Sequence, residues 1–118
     1  MTLYPTLEVQ RKLHGDRMII TCEGESDDYT VHVLLEAIQT TIGEGYHHIT
    51  VDLTAVEYLD ATTLGVLVGG HVRCREKDGK FNVVVTDSRI RSIFEIIGLN
   101  NVFDIHPSRE LAMTPVPA

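Results

Sequence analysis

Apolar residues along this chain switch repeatedly between a period of two and a period near 3.6, which predicts an α/β domain. The β-branched run Val83-Val84-Val85 reads as a strand buried on both faces, as parallel sheets require. At 118 residues the chain fits a single domain with one hydrophobic core and no second one. Together these observations predict a parallel or mixed sheet joined by right-handed crossovers.

The elements follow in order. Leu7 and Val9 alternate with polar neighbours, and Arg17 to Cys22 is an apolar run after the turn-forming Gly15-Asp16, so the chain opens with a hairpin. Val31, Leu34, Leu35, Ile38 and Ile42 mark one face of a first helix, stopped by Gly43 or Gly45. Ile49, Val51 and Leu53 alternate with Thr50, Asp52 and Thr54 in a strand. A short connection then leads to a second helix, with Leu64, Leu67, Val68, His71 and Val72 on its apolar face and an end near Asp78-Gly79. Each glycine of Gly69-Gly70 costs that helix about 1 kcal/mol relative to alanine, so close packing on a neighbour is expected there. After the valine strand, Ile90, Ile93, Phe94 and Ile97 face inward from a third helix, capped by Asp87 or Ser88 and ended at Gly98. A strand at Val102 to Ile105 and a turn from Pro107 complete the core, about residues 7–111. The tail after Leu111, with Pro115 and Pro117, reads as a loose end.

Composition excludes several functions. The formal net charge is −7, opposite to what tracking nucleic-acid phosphates or an anionic membrane surface requires. The basic residues Arg73, Arg75, Lys77 and Lys80 are interrupted by Glu76 and Asp78 and read as a solvated helix face. The two cysteines, Cys22 and Cys74, form no CxxC, which suits a reducing cytoplasm. No apolar run reaches transmembrane length, and Met1 to Gln10 lack the pattern of a signal peptide, so a cytoplasmic location is expected.

Catalytic chemistry finds no footing. Six histidines show no metal-ligand spacing; His47 and His48 are adjacent and point apart on a strand, and His71 reads as packed. GxSxG, Walker and GxGxxG motifs do not occur, and no nucleophile–base pair assembles, so neither an enzyme nor a cofactor is expected.

The segment Val56 to Val68 is the most informative. It leads from a strand into the second helix, at the place where open α/β sheets build binding surfaces. Asp60 is suited to cap that helix, and Thr62 or Thr63 places a hydroxyl at the positive end of the helix dipole.

These residues resemble the STAS domain of bacterial anti-sigma factor antagonists. The family shows a strand ending in Asp-Leu, then Asp-Ser-Ser/Thr-Gly-Leu-Gly opening a helix. Here Ile49-Thr50-Val51-Asp52-Leu53 is followed by Leu59-Asp60-Ala61-Thr62-Thr63-Leu64-Gly65. Gly24-Glu25-Ser26-Asp27 is similar to the family's Gly-Glu-x-Asp, and Ile96-Ile97-Gly98-Leu99 with Val102-Phe103 to its usual ending. The resemblance implies a mixed sheet of four or five strands, with helices mainly on one face.

It also implies a function: binding an anti-sigma factor that is a serine/threonine kinase, and so releasing a sigma factor. In the family the kinase phosphorylates the first serine after the loop aspartate, which breaks the complex, and a phosphatase resets it. Carried to this chain, the binding surface comprises Gly24, Ser26, Asp27, Asp28, Asp60, Ala61, Thr62, Thr63 and Gly65. The chain itself is expected as a monomer or weak homodimer. One departure matters: the phosphorylated serine aligns with Ala61, which has no hydroxyl, and the usual glycine with Thr63. Either Thr62 or Thr63 is the substrate, or the chain is a non-switching scaffold or sensor module.

Overall fold

The computed structural model describes residues 4–113. Strands β1 (Leu7–His14) and β2 (Arg17–Ser26) form the expected antiparallel hairpin around Gly15-Asp16. Helix α1 (Val31–Gly43) crosses to β3 (His48–Leu59), α2 (Ala61–Glu76) crosses to β4 (Lys80–Val84), and α3 (Ser88–Ile97) leads through a 3₁₀ turn (Leu99–Asn101) to β5 (Asp104–His106). A short α4 (Arg109–Met113) follows. The five strands lie in sequence order, β1 antiparallel and the rest parallel, so α1, α2 and α3 are each one crossover between neighbouring strands.

One face of this sheet carries the core. Ile20 and Cys22 of β2, Ile49, Val51 and Leu53 of β3, and Val83 of β4 meet Leu34 and Ile38 of α1 and Leu64 and Leu67 of α2. Ile90 and Phe94 of α3 join the same cluster, with Phe94 packed edge-on to Phe103 at 6.4 Å between centroids. Gly70 lets α2 approach β4: a methyl group there would come within 2.8 Å of the Phe81 ring. Gly69 has no such neighbour, so the packing role expected of the pair rests on one member. Both cysteines are buried; desolvation pushes the thiols up to about 12 for Cys22 and about 11 for Cys74, leaving them inert.

The opposite face is mixed, with Arg17, Thr50, Asp52 and Asn82 beside the buried Ile19 and Val84, and α4 packs over it. Arg109 donates through Nε and Nη to the Asp52 carboxylate at 2.9 and 2.7 Å, and Arg17 and Asn82 both donate to the Ala112 carbonyl. Ala112 and Met113, expected in a loose end, therefore belong to a docked helix; Pro115 and Pro117 lie outside the described residues. Burial pushes the Asp52 carboxyl up, but the hydroxyl and N–H of Thr54 and the Arg109 guanidinium outweigh it and hold it below the usual range. A carboxylate lowered on folding stabilises the fold above its unfolded pKa and loses that contribution as pH falls through the folded value. Arg109→Ala should cost about 1–2 kcal/mol, less than a fully buried pair because the arginine is half exposed. It should also flatten the acid limb of stability; urea denaturation at pH 7 and below 4 checks both.

Four expectations are corrected. The α2 core stripe runs Leu64, Leu67, Gly70, Cys74, leaving Val72 47% exposed, because the helix is rotated relative to the expected apolar face. On α3 only Ile90 and Phe94 are buried; Ile93 and Ile97 face outward, since this short helix touches the core along one edge. The last strand is Asp104–His106 rather than Val102–Ile105, because the 3₁₀ turn delays its pairing with β4. The short connection expected before Asp60 is strand: Ala55, Val56, Tyr58 and Leu59 pair with Glu23, Gly24, Glu25 and Ser26 across two register shifts.

Candidate functional site

The long β2–β3 ladder carries two loops to the same end of the sheet. Ser26 ends β2 opposite Leu59 of β3, and the Asp60 N–H donates to the Ser26 carbonyl at 3.2 Å. Asp60 is therefore the one residue between β3 and α2, and its extended backbone suits an N-cap. Its carboxylate accepts from the Thr63 N–H at 3.2 Å and from the Thr62 hydroxyl. The Thr62 hydroxyl, with the N–H groups of Thr63, Thr62 and Asp28, holds the Asp60 carboxyl below the usual carboxylate range. The start of α2 is tied to the β2–α1 loop through Ser26, whose carbonyl accepts from the Asp60 N–H and the Thr63 hydroxyl.

That loop is a closed knot of its own. Asp27 accepts from the Tyr29 and Thr30 N–H groups at 2.9 and 3.0 Å, while the buried Thr30 hydroxyl donates to the Glu25 carbonyl at 2.8 Å. Beneath both loops Thr63 and Ser26 share a buried hydroxyl–hydroxyl bond of 2.6 Å, and the Thr63 hydroxyl also reaches the Ser26 carbonyl.

The expected surface residues thus separate into two groups. Ser26 and Thr63 are 1% and 0% exposed and act as a buttress inside the fold, so the Thr63 hydroxyl is closed to any phosphoryl donor while the domain is folded. Gly24 is also structural: its φ is +115°, and a Cβ would stand 2.2 Å from the Thr6 carbonyl oxygen. Asp27 turns its carboxylate onto its own loop. The outer surface is left to Asp28, Ala61, Thr62 and Gly65, braced by Asp60. Thr62 carries the one exposed hydroxyl among the candidates at the start of α2.

Two features of this surface were not legible in the apolar pattern. Tyr29 stands 78% exposed in the β2–α1 loop, and such an aromatic is the residue type enriched at protein interfaces. Thr62 and Gly65 also open onto a shallow, mostly apolar groove of about 360 Å³ between α1 and α2, lined by Val31, Leu35, Val66 and Arg73. Apart from its own helix backbone and chain neighbours, nothing lies within 4 Å of a methyl group placed at Gly65, so tertiary packing does not require the glycine there. Its bare surface keeps the mouth of the groove open.

Residues 4–112 match the family model of the STAS domain. The chain belongs to the STAS domain family. It is 30% identical over 105 residues to the anti-sigma-B factor antagonist of Staphylococcus epidermidis, covering 89% of this chain and 97% of that protein. The anti-sigma-B factor antagonist of Listeria monocytogenes is 34% identical over 91 residues, covering 76% of this STAS chain and 79% of its relative. The crystal structure of an anti-sigma factor antagonist from Mycobacterium paratuberculosis superposes with a TM-score of 0.84 at 24% identity, covering 91% of each chain, and supports the fold. The STAS architecture agrees with the expected sheet and with helices mainly on one face, α4 excepted. Among the described residues no helix is long and apolar enough to cross a membrane.

Proposed function

We propose that this STAS chain is an anti-sigma factor antagonist that acts in the cytoplasm by binding a kinase-type anti-sigma factor. The observation that carries the reading is the single outward surface made by Asp28, Tyr29, Ala61, Thr62 and Gly65, whose two loops are joined beneath it by Ser26, Asp60 and Thr63. Such a surface is ordered before binding, so little conformational entropy is lost on association. The apolar groove beside Gly65 takes a partner side chain, and the α2 N-terminus presents its positive dipole end.

Regulation centres on Thr62. Its hydroxyl is exposed at the N-terminus of α2, where a phosphate would meet favourable backbone N–H groups and leave the free domain folded. The same phosphate adds about −1.5 to −2 charges beside Asp60, in the middle of the surface the partner covers. Phosphorylation therefore breaks the complex through repulsion and desolvation rather than through unfolding. Ala61, exposed at the serine position of the family pattern, favours a second reading in which the chain binds constitutively.

Incubation with the purified anti-sigma factor of the same organism and ATP, followed by peptide mass spectrometry, separates the two. Slow phosphate incorporation is expected on Thr62, none on Thr63, and none in Thr62→Ala; Ala61→Ser should be modified faster, on the introduced hydroxyl. Phosphate on Ala61→Ser with none on the natural chain would establish constitutive binding. Phosphate outside Asp60–Gly65 would overturn the placement of the switch.

A further inference from the structure

We propose that the chain carries a second binding site, at the N-terminal end of the parallel strands, for a small organic anion with two negative charges and a flat apolar body. It lies at the opposite end of the sheet from Asp60: β2 and β3 pair from Arg17–His48 at this end to Ser26–Leu59 at the other. It does not rest on the antagonist reading.

A cavity of about 430 Å³ opens there, within the range of small-molecule pockets. Its wall holds Arg17, Arg75 and Lys80 as permanent cations, with His71 and His106, and Asp104 as the one carboxylate lining it. This concentration of positive charge runs against a chain whose net charge is −7.

The cations arrive from separate elements. Arg17 opens β2 and Lys80 opens β4, while His71 and Arg75 lie on the C-terminal part of α2. Gly79 makes the approach of Lys80 possible, since a Cβ would sit 1.9 Å from the His47 carbonyl oxygen, to which the Lys80 N–H then bonds. Strand β5 begins opposite Asn82, so the β4 edge at Lys80 and Phe81 is left beside the cavity.

The charges are held but not neutralised. The Arg17 guanidinium donates to two neutral acceptors, the Thr50 hydroxyl and the Ala112 carbonyl. Neither Arg75 nor Lys80 enters an ion pair among the described residues. Arg75 near the C-terminus of α2 suits the helix dipole by itself; Arg17 and Lys80 reach the cavity from the N-terminal ends of β2 and β4.

Val102, 40% exposed, supplies the apolar wall, with the buried rings of Phe81 and Phe103 behind it. His71 and Phe103 stand 5.8 Å apart, and Phe103 meets Phe81 edge-on at 5.5 Å. The His71 Nδ1 is buried with no hydrogen-bond partner, and desolvation, with the Arg75 charge, holds the imidazole pKa below its usual value. A dianionic group at Arg75 and Lys80 would offset that charge, while its apolar body lies against the exposed Val102.

Phenyl phosphate is the probe, titrated at constant ionic strength and followed by nuclear magnetic resonance. Saturable shifts are expected at His71, His106 and Lys80, with a rise in the His71 pKa on binding. The double variant Arg75→Gln/Lys80→Gln should bind at least tenfold more weakly with unchanged urea stability, and Asp104→Asn should bind a few-fold more tightly. Non-saturable shifts, equal binding by the double variant, or equal binding of neutral phenol would each overturn the proposal. None of these outcomes bears on binding of an anti-sigma factor at the Asp60 end.

Discussion

Leu67→Ala is expected to lower the unfolding free energy by about 2–5 kcal/mol, from lost apolar burial and the cavity left behind. Leu67 has no exposed surface and sits where α2 packs across the sheet, in the same cluster as Leu34, Ile38 and Val51. The backbones around it belong to three separate elements and cannot all collapse into the space. Val72→Ala supplies the comparison, because both residues were expected on the core face of one helix. Val72 is 47% exposed, so its truncation should change stability by only about 0.5 kcal/mol. Urea denaturation of both variants measures the difference. A Leu67 effect below about 1 kcal/mol, or equal effects at the two sites, would contradict the packing of α2 described above.

Asp60→Ala should reduce affinity for the anti-sigma factor at least tenfold, about 1.4 kcal/mol of binding energy, while costing about 1 kcal/mol of stability. The carboxylate accepts from the Thr62 hydroxyl and the Thr63 N–H, so its removal frees the first turn of α2, which packs on the end of β2 through the Ser26–Thr63 bond. Binding must then order a surface that the natural chain holds ready. Asp60→Asn separates geometry from charge, since asparagine caps a helix about as well as aspartate. Stability should return nearly to the natural value and affinity to within a few-fold of it. Because the Asp60 carboxyl is lowered on folding, its contribution is present above the unfolded carboxylate pKa and declines as pH falls through the folded value. Calorimetric titration against the anti-sigma factor reads affinity, and unchanged affinity in Asp60→Ala would remove this residue from the interface.

Apolar periodicity located the elements wherever a regular segment has one buried face. Leu34 and Ile38 on α1, Ile49, Val51 and Leu53 on β3, and the three valines from Val83 to Val85 all lie in the interior as their spacing implies. The Asp60 cap was also legible, because capping needs only an acceptor placed one residue before a helix and is settled by local chemistry. The order of Asp-Leu, Asp60-Ala61-Thr62-Thr63 and the closing Gly98-Leu99 was enough to suggest the family.

Residues 54–59 were misread because period-two alternation fails where a ladder shifts register. The buried residues there, Leu53, Val56 and Leu59, come three apart, and only pairing with the end of β2 makes them strand. Tertiary packing likewise decided which threonine is available. Thr62 and Thr63 are neighbours of one chemical type, yet the buried bond to Ser26 encloses one hydroxyl and leaves the other outside. A helix turns about 100° per residue, so adjacent side chains on α2 face different surroundings, and those are set by where β2 ends. The cavity with Arg17, Arg75 and Lys80 was hidden for a related reason. Along the chain the basic residues of α2 and β4 read as a solvated face, and only the fold brings Arg17 of β2 to the same cavity. Sequence by itself determined where helices and strands lie and that Asp60 caps α2, because periodicity and capping are short-range preferences, while Val72, Ile93 and Ile97, expected inside, are exposed. The tertiary structure decided which polar groups meet, because those meetings depend on register and crossover across tens of residues.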